Sequence, residues 1–538
     1  MSRVGLLFLV GAFAAAPLGA SAQTCTIGPF SGSTTISSIN SQLNSAPNGA
    51  VVCMQRGATW SSATGFTLTT SHPDSSRVTL CASTGSQCSP PGSGANPKIN
   101  ITDGGNNRCV SFMGVTGYNL KNIDCFAKST TFAYDVRKSS AHITIDGGVV
   151  DGWWAGAFFD NGTGPYVDDV KLGVCGNRVE IRNGPPPTGN LRFATWGPTT
   201  NSSMSVWIHD FTGTNQGGQD HMIDLGQNGS ADPYHATNNL TIECSLFQYS
   251  GGGEMGTYLK AARGTNLTVR DSTFEVIGNG CSAVKALAFD SHYDSAVEGW
   301  DGAEIYRNVF KMGKCAAIVE AVGKNIKIYN NVAIGQADDY QRGLIQFWYN
   351  AGDPTDLQVS NVAIFNNTIY RTGNTSTPGN GYALVSDNAQ IASGRQTGTG
   401  LSLYNNLFYN LDGVDAKIWT SSHGGCNGWG ANGANIRNNY IYTPNDSSPS
   451  YWGGCSGATG TNSNFRADPG LVDPANGNFS LSPTSVIAGK GIAAGAPTNG
   501  DFTKGPRQSP PSIGAYDMSG GGGVVPLDPP VLLQISAN

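Results

Sequence analysis

Four phrases from the second half of the chain decide its architecture: IKIYNNVA (326–333), VAIFNNTIY (362–370), LSLYNNLFY (401–409) and NIRNNYIY (435–442). Apolar residues two apart are the alternation of a strand. The asparagines that follow are bend residues, and a second apolar stretch comes after them. Outward from these four, the same phrase recurs with other small or amide residues at the bend. It reads NLKNIDCF (119–126), HITIDGGVV (142–150), VEIRNG (179–184), VWIHDF (206–211), LTIECSLF (240–247), LTVRDSTF (267–274) and AEIYRNVF (303–310).

Taking the bend residue as marker gives Asn122, Gly147, Asn183, Asp210, Cys244, Asp271, Asn308, Asn331, Asn367, Asn406 and Asn439. Ten steps span 317 residues, a mean near 32 with steps from 23 to 39. An irregular period with strand-like alternation fits coils of a β-solenoid with loops of varying length. One coil cannot bury its apolar side. Stacking coils about 4.8 Å apart pairs every strand with those above and below and turns the interior into columns of Ile, Val, Leu and Phe. A run of asparagines from Asn308 to Asn439 predicts a ladder of side-chain amides bonded from coil to coil. The ends need covers, because open sheet edges invite aggregation. Ile36 to Leu43 is the best helical candidate at the front, and 465–483 with 510–518 supplies short strands and turns at the back.

Composition agrees. The chain has 73 glycines among 538 residues and only 13% charged residues, which disfavours helices. A net charge of −6 gives no basic nucleic-acid surface. Arg3, the apolar run 4–16 and Ala20-Ser21-Ala22 read as a secretory signal peptide, residues 1–22. No later stretch is apolar for long enough to form a transmembrane helix. All 12 cysteines follow that segment and none forms a CxxC pair, so disulfides are expected rather than zinc. Short spacings favour Cys81–Cys88 and Cys109–Cys125, with Cys281–Cys315 joining neighbouring turns. The expected organisation is an N-terminal cap and first coils over 23–100, a β-helix over 101–445, C-terminal coils and cap over 446–518, and a Gly/Pro-rich linker-like tail over 519–538.

SSINSQLNSAPNGAVVCMQRGATW (37–60), the asparagine coils, and DPGLVDPANGNFSLSPTSVIAGKG (468–491) with GPRQSPPSIGAYDM (505–518) together resemble the bacterial secreted right-handed parallel β-helix proteins, the pectate-lyase-like group. The resemblance covers roughly 25–518. It implies an all-β, right-handed parallel β-helix of about eleven or more coils, capped at both ends, secreted to an extracellular or periplasmic location. Within it, GGGEMGTYLKAARGTNLTVRDSTFEVIGNGCSAVKAL (251–287) is similar to the catalytic region of the chondroitinase B and alginate lyase family. That likeness implies a base at Lys260 and an assisting basic residue one coil on, where this chain has Lys285 in place of the family's Arg. It also implies calcium. Of the family's calcium carboxylates only Glu254 lies near, off the expected register.

The residues point to the same place. HMIDL (221–225), TYLKA (257–261), SAVKA (282–286), AIVEA (317–321) and ALVSD (383–387) align as one strand per coil. Alternation puts Ile223, Leu225, Leu259, Ala261, Val284, Ala286, Val319 and Ala321 inward. Asp224, Lys260, Lys285, Glu320 and Ser386 then face outward in one row, with Gln346 or Trp348 filling the missing coil. Two adjacent ammonium groups disfavour double protonation, so one sheds its proton more easily and suits a general base. The chemistry this favours is β-elimination on a uronic-acid polysaccharide. Lys260 is the base, Lys285 neutralises the carboxylate, and Arg263 is a subsite cation. Tyr258 donates to the leaving oxygen, with His292 and His221 in reserve. A plain surface ion-pair ladder would present the same charges.

Asp220, His221, Asp224 and Glu254 could hold calcium, which prefers carboxylate oxygens, or form an ordinary polar loop. The acidic loop 288–302 would wall a groove, with Trp300 stacking on sugar rings. Glu320 and Trp348 are further substrate contacts. Asp290, Asp294, Glu298 or Asp301 would serve a glycoside hydrolase. Asp338-Asp339 invites comparison with the acid pair of polygalacturonases, whose other motifs are missing. Three functions stay open: a polysaccharide lyase, a hydrolase or epimerase on the same fold, and a non-catalytic carbohydrate-binding or surface protein. An extracellular polysaccharide is the partner in each. The oligomeric state is open.

Overall fold

The structure, a computed structural model, describes residues 23–103, 107–160, 166–183, 193–195, 199–209, 221–225, 236–249, 257–261, 264–276, 285–289, 300–313, 317–321, 323–335, 345–347, 359–371, 383–387, 398–410, 417–421, 435–442, 444, 452–453, 467–493 and 499–518. At His221, Asp224, Lys285, Ala288 and Gln346 only the backbone is described. The leader 1–22, the tail 519–538 and the Cys281–Cys315 pair lie outside these residues.

One coil shows the winding. Gly264–Arg270 runs in a first sheet, bends at residues 271 and 272, continues as Thr273–Val276 in a second sheet, returns as Lys285–Phe289 in a third, and re-enters the first sheet as Trp300–Tyr306. Each strand pairs in parallel with its counterpart one coil away. Repetition makes a parallel β-helix of three sheets. Its interior consists of columns in register. In the first sheet Ile242, Val269, Ile305, Ile328, Ile364, Leu403 and Ile436 stack. In the second the column is Ile208, Phe247, Phe274, Phe310, Ala333, Ile369, Phe408 and Ile441. Helix α1 (Ile36–Asn44), capped by Thr35, buries Ile36, Ile39 and Leu43 against the first coils.

The predicted amide ladder is present from Asn308 to Asn439. The Nδ2 of Asn308, Asn331, Asn367 and Asn406 each donates to the Oδ1 of the next, at 3.1, 3.0, 2.9 and 2.8 Å. Each also donates to a first-sheet carbonyl, and the Oδ1 of Asn331, Asn367, Asn406 and Asn439 accepts the backbone N–H of the ladder residue before it. No amide valence is left to water inside the wall, which is what burial requires. Asn183 follows the second-sheet strand Val179–Arg182 and so marks another corner of its coil, and four markers, Asn122, Gly147, Cys244 and Asp271, fall one residue early. Cys244 and Asp271 take the left-handed conformation of the bend, and Ser245 and Ser272 hold the ladder position. A second amide column, not anticipated from the sequence, runs along the exposed face of the first sheet. Asn266 donates to Asn239, which donates to Asn201, and Asn361 donates to Asn325. All five have positive φ, and Gly302 and Gly400 occupy the same position in their coils, as a left-handed site allows.

Four disulfides join described residues: Cys25–Cys53, Cys81–Cys88, Cys109–Cys125 and Cys175–Cys244. The second and third are the predicted pairs. They are compatible with an oxidising compartment. Cys175–Cys244 closes the longest loop, 69 residues. Converting both to serine is expected to cost roughly 4 kcal/mol by loop-closure entropy, read as a lower denaturant midpoint. A loss under about 1 kcal/mol would show that the coils hold that span unaided.

Past residue 446 Trp452–Gly453 still pairs in parallel with Trp419 and Thr420 of the third sheet, and the C-terminal cap then forms a strap along the bends. Residues 485–493 and 499–518 run back over the asparagine turns. Asn438, Asn405, Asn366 and Asn330 donate to the carbonyls of Lys490, Ile492, Ser512 and Gly500. Arg507, buried beneath, bonds Asn330 Oδ1 and the carbonyls of Gly514 and Ala515, and lies 3.7 Å from Asp517. Arg507→Ala leaves the buried Asp517 carboxylate without its cation, a loss of about 3–5 kcal/mol. Hydrogen exchange is expected to speed up across 485–518 while the ladder amides stay protected. Unchanged exchange in the strap would refute Arg507 as its anchor.

Candidate functional site

The third sheet carries the predicted row. Its inward column is Ile223, Leu259, Leu287, Val319 and Ile345. In register beside it run Asp224, Lys260, Ala288, Glu320, Gln346, Ser386 and Thr420. By backbone register Asp224, Lys260, Glu320 and Ser386 share the one row that alternation gave them, although Lys260 and Glu320 are buried and not exposed, and Gln346, not Trp348, fills the coil between Glu320 and Ser386.

Lys285 does not. Lys260 pairs with Ala288, and Lys285 pairs with Thr257, three residues earlier on its strand. The strand described in that coil is KALAF (285–289), with Leu287 and Phe289 in register with the inward Leu259 and Ala261; Ala286 is buried in the core with them, and Val284 lies outside the described residues. An odd shift exchanges the two faces of a strand. Leu287 and Phe289 fill the interior between the neighbouring coils. The adjacent-ammonium argument therefore falls away. Lys285 joins a different row at the strand starts, with His221, Thr257 and Ala317. His221 and Lys285 are two strand steps apart there, about 10 Å.

Lys260 is 5% exposed and Glu320 2% exposed. Two strand steps, about 10 Å of backbone, separate them across Ala288. Both have interaction partners. Charged side chains this deeply withdrawn are rare away from sites or ion-pair networks. Asp224 stands one step from Lys260 on the other side.

Two other predicted residues are displaced into the core. Tyr258 is fully buried, packs edge-on against Phe274, and donates its hydroxyl to the Glu275 carbonyl at 2.5 Å. Burial first, then the nearby Glu275 charge, pushes this phenol well above its ordinary range. It is a core hydrogen bond and not a donor on the outer face. Trp300 is 1% exposed, meets Phe289 edge-on, and donates Nε1 to the Gly302 carbonyl at 3.1 Å. Its ring fills the space above Gly264, where a Cβ would lie 2.5 Å from it, so it is a core plug rather than a groove wall. Asp301 is exposed on the first sheet and accepts from Asn325, away from the Lys260 row.

Asp220, Glu254, Arg263, His292 and Trp348 lie outside the described residues, as do Asp290, Asp294, Glu298, Asp338 and Asp339. Among the described residues, the groups of His, Cys, Asp and Glu close enough to share a cation are Cys53, Cys81 and Cys88, all in disulfides, and Asp74, His142 and Asp169. Arg77 already pairs with both carboxylates of the second group. Neither group adjoins Lys260 in the third sheet, and no step below is routed through calcium. Among the described residues, no helix is long and apolar enough to cross a membrane.

No protein-family model and no curated protein sequence matches the chain. Among solved structures it is similar to the alginate lyase from Paenibacillus sp. str. FPU-7, at 14% identity, covering 72% of this chain and 97% of that one, with a TM-score of 0.33. It is similar to a mannuronic acid specific polysaccharide family 6 lyase from human gut microbiota, at 13% identity, 73% and 90% coverage and a TM-score of 0.43. It is likewise similar to PfbA, a surface adhesin of Streptococcus pneumoniae, at 12% identity, 73% and 92% coverage and a TM-score of 0.45.

Proposed function

We propose that the protein is a secreted polysaccharide lyase that cleaves a uronic-acid-containing chain by β-elimination, with Lys260 as base. The observation that carries this reading is a buried lysine on the third sheet, in register between Asp224 and a small residue, with Glu320 one coil further. Lys260 Nζ takes the C5 proton of a uronate unit. The electron pair passes into a C4–C5 double bond as the C4–O bond breaks, and the departing oxygen takes a proton. Removing a proton beside a carboxylate needs that carboxylate neutralised. Arg263, just after the Lys260 strand, is the cation for it. With Tyr258 in the core, the proton donor is His292 or His221. Glu320 orients the sugar from two steps away.

A carboxylate-pair hydrolase is less well supported here. Asp224 and Glu320 stand three strand steps apart, about 14 Å of backbone, beyond the roughly 5–9.5 Å of such pairs. The test is incubation with alginate, pectate, chondroitin and neutral glycans, with and without a calcium chelator. Ultraviolet absorbance from an unsaturated uronate supports elimination. New reducing ends without absorbance mean hydrolysis, and binding without either means a non-catalytic module. Loss of the absorbance on chelation assigns calcium to the site; an unchanged rate excludes it.

A further inference from the structure

We infer that the outward face of the second sheet carries a separate platform for a neutral sugar residue of a polysaccharide, built on Trp207. Among the described residues Trp60, Trp153 and Trp300 are buried in the core, whereas Trp207 stands part-exposed on the strand Val206–His209. Its ring is fixed from two directions. His209 stacks on it at 4.1 Å with an interplanar angle of 21°. Gln248 Oε1, from the next coil, accepts its Nε1–H at 2.8 Å. Each support is itself held. His209 Nε2 lies 3.0 Å from Glu180 Oε1, which also accepts from Arg182 at 2.7 Å, and Gln248 Nε2 donates to Glu275 at 3.0 Å. The chain of contacts crosses four coils.

An indole that only shields its in-register neighbour Leu246 needs no such orientation. A ring presented to a ligand gains from it, because a preorganised side chain loses little freedom on binding. The surroundings select the ligand. Part-exposed Glu180, Arg182, Gln248 and Glu275 offer planar hydrogen-bonding edges around one apolar ring face, which suits a pyranose with its apolar C–H face and ring of hydroxyls. Asp151, Glu180 and Glu275 against Arg182 and Lys311 leave the patch at net −1, so a polyanion gains nothing there. Trp207 is on another sheet from Lys260, and the inference does not depend on elimination chemistry.

Native-gel affinity electrophoresis of the whole chain tests it, in gels containing hydroxyethylcellulose, galactomannan or mixed-linkage glucan, with alginate and pectate gels run beside them. The expected result is retardation by at least one neutral polymer. Trp207→Leu keeps cover over Leu246 and should weaken that retardation at least tenfold, with the thermal midpoint and any retardation by polyanions unchanged. If Trp207→Leu fails to fold, Gln248→Ala, which frees the ring without removing it, should weaken retardation severalfold. No retardation by any neutral polymer, or equal retardation of the folded variant, overturns the platform. Retardation by polyanions alone also overturns it, while leaving the Lys260 reading intact.

Discussion

Replacing Lys260 with alanine is expected to slow formation of the unsaturated uronate product by about 10²–10⁴-fold, the usual contribution of a positioned general base. The measurement is the rate of rise in ultraviolet absorbance on whichever uronate polymer the native chain cleaves. Lys260 is buried and partnered, so a simple truncation risks a stability change that imitates lost chemistry. Lys260→Met keeps most of the stem and Lys260→Arg keeps the charge, and these separate the two effects. Arginine holds its proton at any working pH and cannot act as base, so it should be as inactive as methionine. An active arginine variant would mean the position needs charge and not a base. Full activity in all three variants would remove Lys260 from the mechanism, and an ion-pair row on a binding protein would be the better description.

The second large effect concerns the amide ladder. Asn367→Ala removes donors to Ile328 O and Asn406 Oδ1, and the acceptor for both the backbone N–H and the side-chain amide of Asn331. Each buried group left unpaired costs about 1–3 kcal/mol, so a total of about 3–5 kcal/mol is expected even after local relaxation. Asn266→Gly in the exposed ladder is the control. It loses one solvent-accessible bond at a position where Gly302 already serves one coil on, and its cost should stay within about 0.5 kcal/mol. Chemical denaturation of the two variants gives the comparison. Equal losses would show that burial is not what gives the inner ladder its weight.

The contrast between the ladders shows which features could be read from the sequence. The inner one was legible because the asparagines recur beside strongly apolar alternation. The outer one uses single asparagines ahead of each apolar phrase, as in NLTI, NLTV and NIKI, with glycine or histidine in other coils, and its signal was positional rather than compositional. The first coils of the inner ladder use serine, so Cys244 and Asp271 drew the marker one residue too early. Cys81–Cys88 and Cys109–Cys125 followed from short spacing, whereas Cys175–Cys244 spans too much chain to be foreseen that way.

The sequence alone determined the winding, because a repeated alternation that can bury its apolar side only against copies of itself leaves stacking as the outcome. It also placed Asp224, Lys260, Glu320 and Ser386 in one row, since their strands each carry an unambiguous apolar pair. The tertiary structure alone decided which residue stands between Lys260 and Glu320. SAVKA and KALAF both alternate, a three-residue slip exchanges their faces, and the choice rests on how Leu287 and Phe289 fill the volume between neighbouring coils. Burial of Tyr258 and Trp300 was settled the same way: an aromatic ring with one polar atom suits a groove or a core equally, until the space and the carbonyl it meets are fixed by the coils on either side.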